Sequence, residues 1–411
     1  MTRRAWTLGM GVAAMARLEG QPGAGGCISV PMTAAPRLFP EPLQKPNPNT
    51  LFDLPEYDRL PPPASIASSG TARLPVSQLS RAENARALGL LTTAYQKLGH
   101  DKRVTGLAVQ GTLHQLFCMT RSGDAHLRTG GAFLAWHRAF LFFHERLLRW
   151  QLEQARIPGA EAVRLPYWDV TSFSESGGVY LSQPGLENGN CRTWIPPDSP
   201  TATSAIGSLI LGLHDNNLRD CADDLFNWHI RTHQYVGGNM QTLSLAAFDP
   251  IFYALHASVD RMWTISPTAR LTPDHHTCTF YDPDAGIGSW VKVDLANFGA
   301  SVDLGAPYAP PGGVASLLLS LPVPSAIEVT LPSIGSVTTL MIVIRGKAVR
   351  IATIVPEGAD HQHKSQTTRF PILPEVEAFL RTSRHDAVEL FLQGAGDKRM
   401  LIGPNDWRLV R

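Results

Sequence analysis

The chain has 411 residues, of which 44% are hydrophobic and 17% are charged, and its formal net charge is +1. This length is sufficient for a large buried core and for two or three domains. A net charge near zero gives no electrostatic reason to expect a nucleic acid or an anionic membrane surface as a partner. The lack of a run of 18 apolar residues excludes a membrane-spanning helix.

The first predicted unit comprises residues 1–72. It begins MTRRAWTLGMGVAAMA, in which a twin arginine precedes a short apolar stretch. This pattern resembles a twin-arginine export signal, so the interpretations left open are export and a cytoplasmic chain with an unstructured N-terminus. Residues 36–77 are rich in proline and serine, which indicates an extended surface segment and not a domain.

A helical period of apolar residues runs from Leu79 to Trp150. Within it, His114, His126 and His137 are spread over 24 residues and lead into a strongly apolar helix. Residues 172–222, which are rich in Ser, Gly, Asn and Pro, are predicted to be long loops.

A second group of histidines follows. His229 and His233 are four residues apart, which places both imidazoles on one face of a helix, and His256 comes 23 residues after His233. This spacing predicts a metal site of three imidazoles. A zinc protease would need a glutamate directly after the first histidine, where this chain has Ile230.

One such triplet fits zinc about as well as copper, but two triplets indicate two metal ions of one kind. Copper suits two carboxylate-free imidazole sites with open positions, because imidazole accommodates both Cu(I) and Cu(II). The sequence therefore predicts two copper ions as the cofactor.

Two longer motifs carry a resemblance to a known family. Phe133-Leu-Ala-Trp-His-Arg138 and the segment from Asp249-Pro-Ile-Phe252 to Asp260-Arg-Met-Trp263 resemble the two copper signatures of the type 3 binuclear copper proteins: tyrosinases, catechol oxidases and haemocyanins. The resemblance implies that one copper is held by His114, His126 and His137, and the other by His229, His233 and His256.

The resemblance is closest to the plant-type polyphenol oxidases and covers roughly residues 73–411. Cys118, four residues after the first ligand, matches the cysteine that forms a thioether with the second ligand in those enzymes, which implies a Cys118–His126 crosslink. The alternative is a buried free thiol. Leu304-Gly-Ala-Pro-Tyr308 resembles the motif that ends the plant catalytic domain, with Ala306 in place of the first tyrosine.

The expected fold is mainly α, with a four-helix-bundle dicopper catalytic domain and long loops in residues 73–308. After Val314 the pattern changes to short β-rich runs (326–331, 338–344 and 388–392), which predict a small C-terminal antiparallel β-sandwich in residues 314–411. The resemblance implies that this domain shields the active site.

Four further residues are expected around the metals. Phe252, four residues before His256, would pack against a ligand imidazole, and Asp260, four residues after it, would orient a histidine or pair with Arg261 or Arg138. By the resemblance, Leu243 occupies the gate position above the first copper. Ile230 stands where many tyrosinases have a water-holding asparagine. His144 is interpreted as a satisfied histidine of the core or of the rim, and not as a ligand.

The predicted function is a polyphenol oxidase that oxidises o-diphenols (catechols) to o-quinones with dioxygen. Ile230 and Leu225 replace the asparagine and glutamate that are thought to activate monophenols in tyrosinases, which favours diphenolase activity. The alternatives are a tyrosinase that also hydroxylates monophenols and a haemocyanin-like dioxygen carrier. The expected partners are a phenolic small molecule and dioxygen, with no nucleic acid and no membrane, and the sequence leaves the oligomeric state open.

Overall fold

The structure is a computed structural model that describes residues 72–103, 105–119, 131–168, 183, 186, 199–241, 243–273, 277–283, 290–298, 307–309, 323–332, 338–354, 366–394 and 398–410. The described residues up to Ile265 are mainly helical. They begin with α1 (Val76–Leu79), α2 (Ala85–His100), α3 (Leu107–Met119) and α4 (Ala132–Gln154).

The helical part continues with α5 (Ser199–His214), α6 (Leu218–Val236), α7 (Leu243–Ala246) and α8 (Pro250–Ile265). The loop prediction for residues 172–222 was therefore wrong from Ser199 onward, except at 215–217. The average composition hid the apolar run from Ala205 to Leu213, whose leucines pack into the core. Glycines in this helix allow close packing, since a Cβ at Gly212 would lie 3.1 Å from the Leu225 side chain.

Local signals fix where helix α6, which carries His229 and His233, and helix α8, which carries His256, begin. The side chain of Asn217 accepts a hydrogen bond from the Asp220 amide at the start of α6. Asp249 does the same for the Ile251 amide, and Pro250 occupies the first turn of α8. Because a capping side chain satisfies an amide that has no partner within the helix, these residues set the helical phase of the histidines that follow.

Helix α4 lies at the centre of the helical part. Every residue from Ala132 to Leu148 is buried, so the helix has no solvent-facing side over four turns. It packs against α2 on one side and against α8 and α6 on others. A helix that is buried all round is positioned by its neighbours and not by one apolar stripe.

The first β-structure is an antiparallel pair, β1 (Thr277–Tyr281) and β2 (Trp290–Asp294), in which Thr279 faces Lys292. Phe280 and Val291 of this pair are buried in the same core as α4. The pair therefore belongs to the helical part of the chain.

The remaining strands are β3 (Ala326–Leu331), β4 (Thr338–Ile344), β5 (Lys347–Ile354), β6 (Gln366–Pro371), β7 (Leu390–Gln393), β8 (Arg399–Leu401) and β9 (Trp407–Val410), with α9 (Pro374–Thr382) between β6 and β7. They form two antiparallel sheets with strand orders β6-β3-β9 and β5-β4-β7-β8. Both sheets contribute to a second core, Ile327 and Val329 from one and Leu340 and Ile342 from the other. The predicted combination of helices with antiparallel sheets is confirmed, whereas the four-helix bundle, the sandwich and the domain borders stay predictions.

Two sequence predictions fall outside the described residues, namely the export signal and the part of the proline-rich segment up to residue 71. Cys221 and Cys278 are free and buried. Among the residues that the structure describes, no helix combines the length and the apolar character needed to cross a membrane.

Candidate metal centre

Helices α6 and α8 bring three of the predicted ligands together. One ring nitrogen from each of His229, His233 and His256 lies within 4.8 Å of the other two, and all three residues are at most 3% exposed. The Nε2 atoms of His229 and His256 are only 3.1 Å apart. The i, i+4 pair on one helix therefore meets the third histidine as the spacing predicts.

The hydrogen bonds at this triplet leave nitrogen lone pairs for a metal. His233 Nδ1 donates to the carbonyl of Met240 at 2.7 Å, so its Nε2 carries the lone pair, and that atom has no hydrogen-bond partner. His256 Nδ1 is likewise buried without one. Unsatisfied buried polar atoms are costly, and a metal ion would satisfy the converging nitrogens. The residues present thus fit copper.

Burial keeps the imidazoles of His233 and His256 neutral. It lowers the pKa of His233 to about 4, against the small opposing effect of the bond to Met240. It also lowers the pKa of His256 well below its ordinary value, and the neighbouring imidazoles of His137, His229, His233 and His114 act in the same direction. A metal-binding imidazole must be unprotonated, so the electrostatics prepare the site for a cation.

Two histidines of the other predicted triplet lie directly beside this group. The ring of His137 stacks on that of His256, with centroids 3.9 Å apart and an interplanar angle of 11°. His114 lies 6.0 Å from His137, and His137 Nδ1 donates to the carbonyl of Phe133 at 2.9 Å. The third member, His126, lies outside the described residues, as do the Cys118 side chain and hence the predicted crosslink.

Two phenylalanines frame the histidines. Phe252 packs against His256 at 4.0 Å and against His114 at 4.6 Å, and so contacts both predicted triplets. Phe133 lies 4.8 Å from His137 and 5.1 Å from His229. The sequence prediction named Phe252 but missed Phe133. The signal was present, since both stand four residues before a histidine on the same helix.

Asp260 is the centre of a buried ionic network that contains two arginines and a tyrosine. The sequence left a histidine, Arg261 and Arg138 open as its partner. Asp260 pairs with Arg138, whose Nε lies 2.5 Å from Oδ1. The Tyr308 hydroxyl donates to Oδ2 at 2.6 Å, and Arg73 Nη1 lies 3.6 Å from the same oxygen. Arg261 instead lies over the ring of Tyr167. The network links the beginning of the described chain, α4, α8 and Tyr308.

The remaining predicted residues lie around this centre. Ile230 is half-buried and packs against the main core, and Leu225 is fully buried beside α5. His144 is fully buried with its ring against Tyr253, which agrees with the interpretation as a core histidine. Leu243 begins α7, but its side chain lies outside the described residues.

Comparisons with known proteins agree with this geometry. The family model described as the common central domain of tyrosinase matches residues 105–197 and 210–266, the ranges that contain all six predicted ligands. Residues 105–197 and 210–266 are thus similar to the central domain of tyrosinase, and two histidine groups packed together within them support a type 3 copper protein.

Relatives of both functional kinds occur among the curated proteins. A tyrosinase of Streptomyces lincolnensis is 27% identical over 228 residues, which cover 44% of this chain and 78% of that protein. Hemocyanin 2 of Megathura crenulata is 25% identical over 241 residues, which cover 50% of this chain but 7% of that much longer protein. The match thus spans only a small part of the length of the haemocyanin.

Among solved structures, a latent aurone synthase described as a polyphenol oxidase superposes with a TM-score of 0.56. The superposition covers 87% of this chain and 90% of that chain at 14% sequence identity. The similarity therefore extends beyond the central domain and shows a shared fold.

Proposed function

We propose that the chain is a copper-dependent polyphenol oxidase that oxidises o-diphenols to o-quinones with dioxygen. The observation that carries the proposal is the packing of His137 and His114 against the converging His229, His233 and His256. Two adjacent imidazole groups suit a pair of copper ions, with His126 as the sixth ligand. The tyrosinase-type central domain supports the same assignment.

When bound, the copper pair would supply the redox chemistry. Dioxygen accepts four electrons from two catechols, and the products are two o-quinones and two waters. The protein side chains hold and orient the ligand imidazoles. The carbonyls of Met240 and Phe133 fix which nitrogen of His233 and of His137 is protonated. Phe252, fully buried between the groups, keeps the rings in place and keeps water from their edges.

Diphenols are favoured over monophenols as substrates. Hydroxylation of a monophenol by the route proposed for tyrosinases needs a carboxylate and an amide that together hold a water. The corresponding positions here are Leu225, which is fully buried, and the apolar Ile230. The adjacent carboxylate of Asp224 is bound instead by Arg369 at 2.6 Å. Neither Leu225 nor Ile230 can orient water.

Copper content and oxygen uptake test the proposal on the full chain. We expect two copper ions per chain, a loss of copper in His233→Ala, and full copper in the matched variant His144→Phe, which replaces a buried histidine outside the site. Catechol should give quinone with stoichiometric oxygen uptake, and tyrosine should give little. Reversible dioxygen binding without quinone would contradict the oxidase and favour the haemocyanin-like alternative.

We further propose that residues 314–411 form a β-sandwich that shields the copper site of a four-helix-bundle domain in residues 73–308. An ionic contact supports this docking: Arg369 on β6 lies 2.6 Å from Asp224 and 2.9 Å from Asp215, beside α5 and α6. The packing is also close, since a Cβ at Gly207 would lie 2.5 Å from Pro371. The C-terminal strands thus contact the hairpin whose second helix carries His229 and His233.

Arg369→Ala tests the shield. The substitution leaves the fully buried Asp224 without this cation, so we expect faster proteolysis between residues 309 and 326 and a higher catechol oxidation rate. The matched control is Arg408→Ala, which removes an exposed arginine paired with Glu328 within the C-terminal strands. Equal activity of the two variants, despite faster proteolysis of the first, would contradict a shielding role.

Two finer assignments complete the proposal. A Cys118–His126 thioether would lower the intact mass by two hydrogens after copper loading, and an unchanged mass would exclude it. Leu243 is assigned as the gate above the first copper. Leu243→Phe should then raise the KM for bulky catechols more than that for catechol itself.

A further inference from the structure

The interior of the helical part contains a tyrosine–histidine pair that the proposed function does not use. His144, on α4, is fully buried, and its Nε2 lies 3.2 Å from the hydroxyl of Tyr95 on α2. The face of the imidazole stacks on the ring of Tyr253 of α8, with ring centroids 3.4 Å apart and an interplanar angle of 8°. Both tyrosines are also fully buried.

The hydrogen bond gives the Tyr95 proton a defined acceptor. A phenol that loses one electron becomes strongly acidic and must release its proton. At a fully buried site water cannot accept that proton, whereas the Nε2 of a neutral imidazole within hydrogen-bond distance can. Burial lowers the pKa of His144 well below its ordinary value, so the imidazole is neutral. For Nε2 to accept, the neutral imidazole carries its own proton on Nδ1, which is buried without a hydrogen-bond partner.

A continuous series of aromatic rings connects this pair to the copper site. From His256, a proposed ligand, the ring centroids step 4.0 Å to Phe252, 5.2 Å to Tyr253 and 6.4 Å to Tyr95. All four residues are at most 1% exposed. These short steps between neighbouring rings place Tyr95 close enough for an electron to pass to the metal centre without crossing solvent.

A second series of rings runs from the site to Tyr253 through Phe140. Phe140 lies 6.3 Å from His114 and 5.7 Å from Tyr253. Both proposed copper positions therefore contact rings that lead to Tyr253 and on to the Tyr95–His144 pair. Core packing alone requires neither the hydroxyl of Tyr95 nor a polar ring at position 144.

We propose that Tyr95 and His144 form a proton-coupled redox pair that takes one oxidising equivalent from the dioxygen-oxidised dicopper centre. Tyr95 loses one electron, which reduces the centre by one, and the phenolic O–H bond breaks as the proton forms an N–H bond at His144 Nε2. The products are a neutral phenoxyl radical and an imidazolium. An o-diphenol at the copper site returns one electron to the radical through the intervening rings and becomes a semiquinone as it loses a proton, and the proton on His144 Nε2 returns to the Tyr95 oxygen, which restores the pair.

The consequence is protection of the site. A centre that has taken up dioxygen without a bound catechol would take its first electron from Tyr95, and not from its ligand histidines or Phe252. The inference rests on the proposed function, because the copper–oxygen oxidant is the one that this function generates.

Freeze-quench electron paramagnetic resonance on the copper-loaded full chain tests the pair. After exposure to dioxygen without phenol we expect a tyrosyl signal, which Tyr95→Phe abolishes and which His144→Phe greatly reduces. Tyr167→Phe is the matched control, since Tyr167 is equally buried but contacts Tyr308 and Arg261, and it should keep the signal. Copper content and circular dichroism, measured on every sample, identify any variant that fails to fold.

The variants should also differ in how fast they lose activity. We expect Tyr95→Phe to inactivate several-fold faster than Tyr167→Phe when stored oxygenated without substrate, with more oxidised histidine in peptides that contain the ligands. Flash photo-oxidation of the copper-free chain by an external oxidant should give a phenoxyl absorbance that is lost in Tyr95→Phe and forms more slowly in deuterium oxide.

These measurements separate the two proposals. Catechol turnover without a tyrosyl signal, or a signal that persists in Tyr95→Phe, overturns the redox pair alone. A signal without catechol turnover overturns the oxidase and supports the pair. If copper loading fails, an unchanged photo-oxidation yield in Tyr95→Phe still overturns the pair.

Discussion

Replacing Asp260 by asparagine should be among the most damaging isosteric changes in the helical part. The Asp260 carboxylate accepts hydrogen bonds from Arg138 at 2.5 Å and from the Tyr308 hydroxyl at 2.6 Å. The side chains of Arg138 and Asp260 are each only 1% exposed. The neutral amide would leave the Arg138 guanidinium buried without its carboxylate. Removing one partner of a buried pair typically costs about 3–5 kcal/mol.

Part of the network offsets the loss at Arg73 but not at Arg138. Arg73 keeps Glu145, whose Oε2 lies 3.0 Å from its Nε. Among the described residues, Arg138 keeps only neutral partners: the amide oxygen of the new side chain, the carbonyl of Phe298 and the face of Trp263. We therefore expect the lower part of the range, about 3 kcal/mol.

Urea unfolding of the copper-free chain, followed by tryptophan fluorescence, measures this loss. The control is Glu377→Gln, which breaks an i, i+4 pair with Arg381 on the surface of α9 and should cost about 0.3–0.5 kcal/mol. The double variant Arg138→Met/Asp260→Leu should regain much of the stability. A loss for Asp260→Asn no larger than that of the control would refute the reasoning.

Three further predictions concern the fold, the thiols and the substrate. Gly131→Ala should cost about 1–3 kcal/mol in urea unfolding, because Gly131 has φ 87° and a Cβ would lie 2.4 Å from Leu218, whereas Gly89→Ala, with open space in mid-helix, should gain up to about 1 kcal/mol. Burial raises the pKa of Cys221 to about 11 and of Cys278 to about 12, so peptide mapping should find both unalkylated in the folded chain at mildly alkaline pH. Since their unfolded thiols ionise near 9, stability should fall as the pH rises from 9 towards 12, and a flat profile would contradict this. Ile230→Asn should raise the ratio of tyrosine hydroxylation to catechol oxidation, and an unchanged ratio would show that the residue does not limit substrate choice.

The β-strands of the C-terminal part could be predicted closely from the sequence. The predicted runs 326–331 and 338–344 have the bounds of β3 and β4, and the third overlaps β7. β-Branched residues with alternating burial and flanking turn residues are a local signal. Helix α5 lacked such a signal, because its small residues resemble a loop in composition. Its helical state depends on close packing at Gly207 and Gly212, which is a tertiary property.

Those features of the candidate site that depend on residues close in sequence could be predicted. The i, i+4 pair and the histidines after each signature phenylalanine follow from helical spacing alone. How the two triplets meet does not follow from spacing. The stacking of His137 on His256 depends on how α4 and α8 pack, and α4, buried all round, has no apolar stripe that would fix its rotation.

The partner of Asp260 shows what does fix that packing. Arg261 is its neighbour in sequence, but consecutive residues on a helix point about 100° apart, so Arg261 extends over Tyr167 while Asp260 faces α4. There it meets Arg138, the residue directly after His137. An apolar helix could slide by one turn at a modest cost, but such a slide would separate a fully buried arginine from its carboxylate. We infer that this ion pair sets the register of α4 against α8, and therefore the distance between the two histidine groups. If so, the double variant Arg138→Met/Asp260→Leu should regain stability without regaining full copper content. Recovery of both properties together would show that apolar packing alone sets the register.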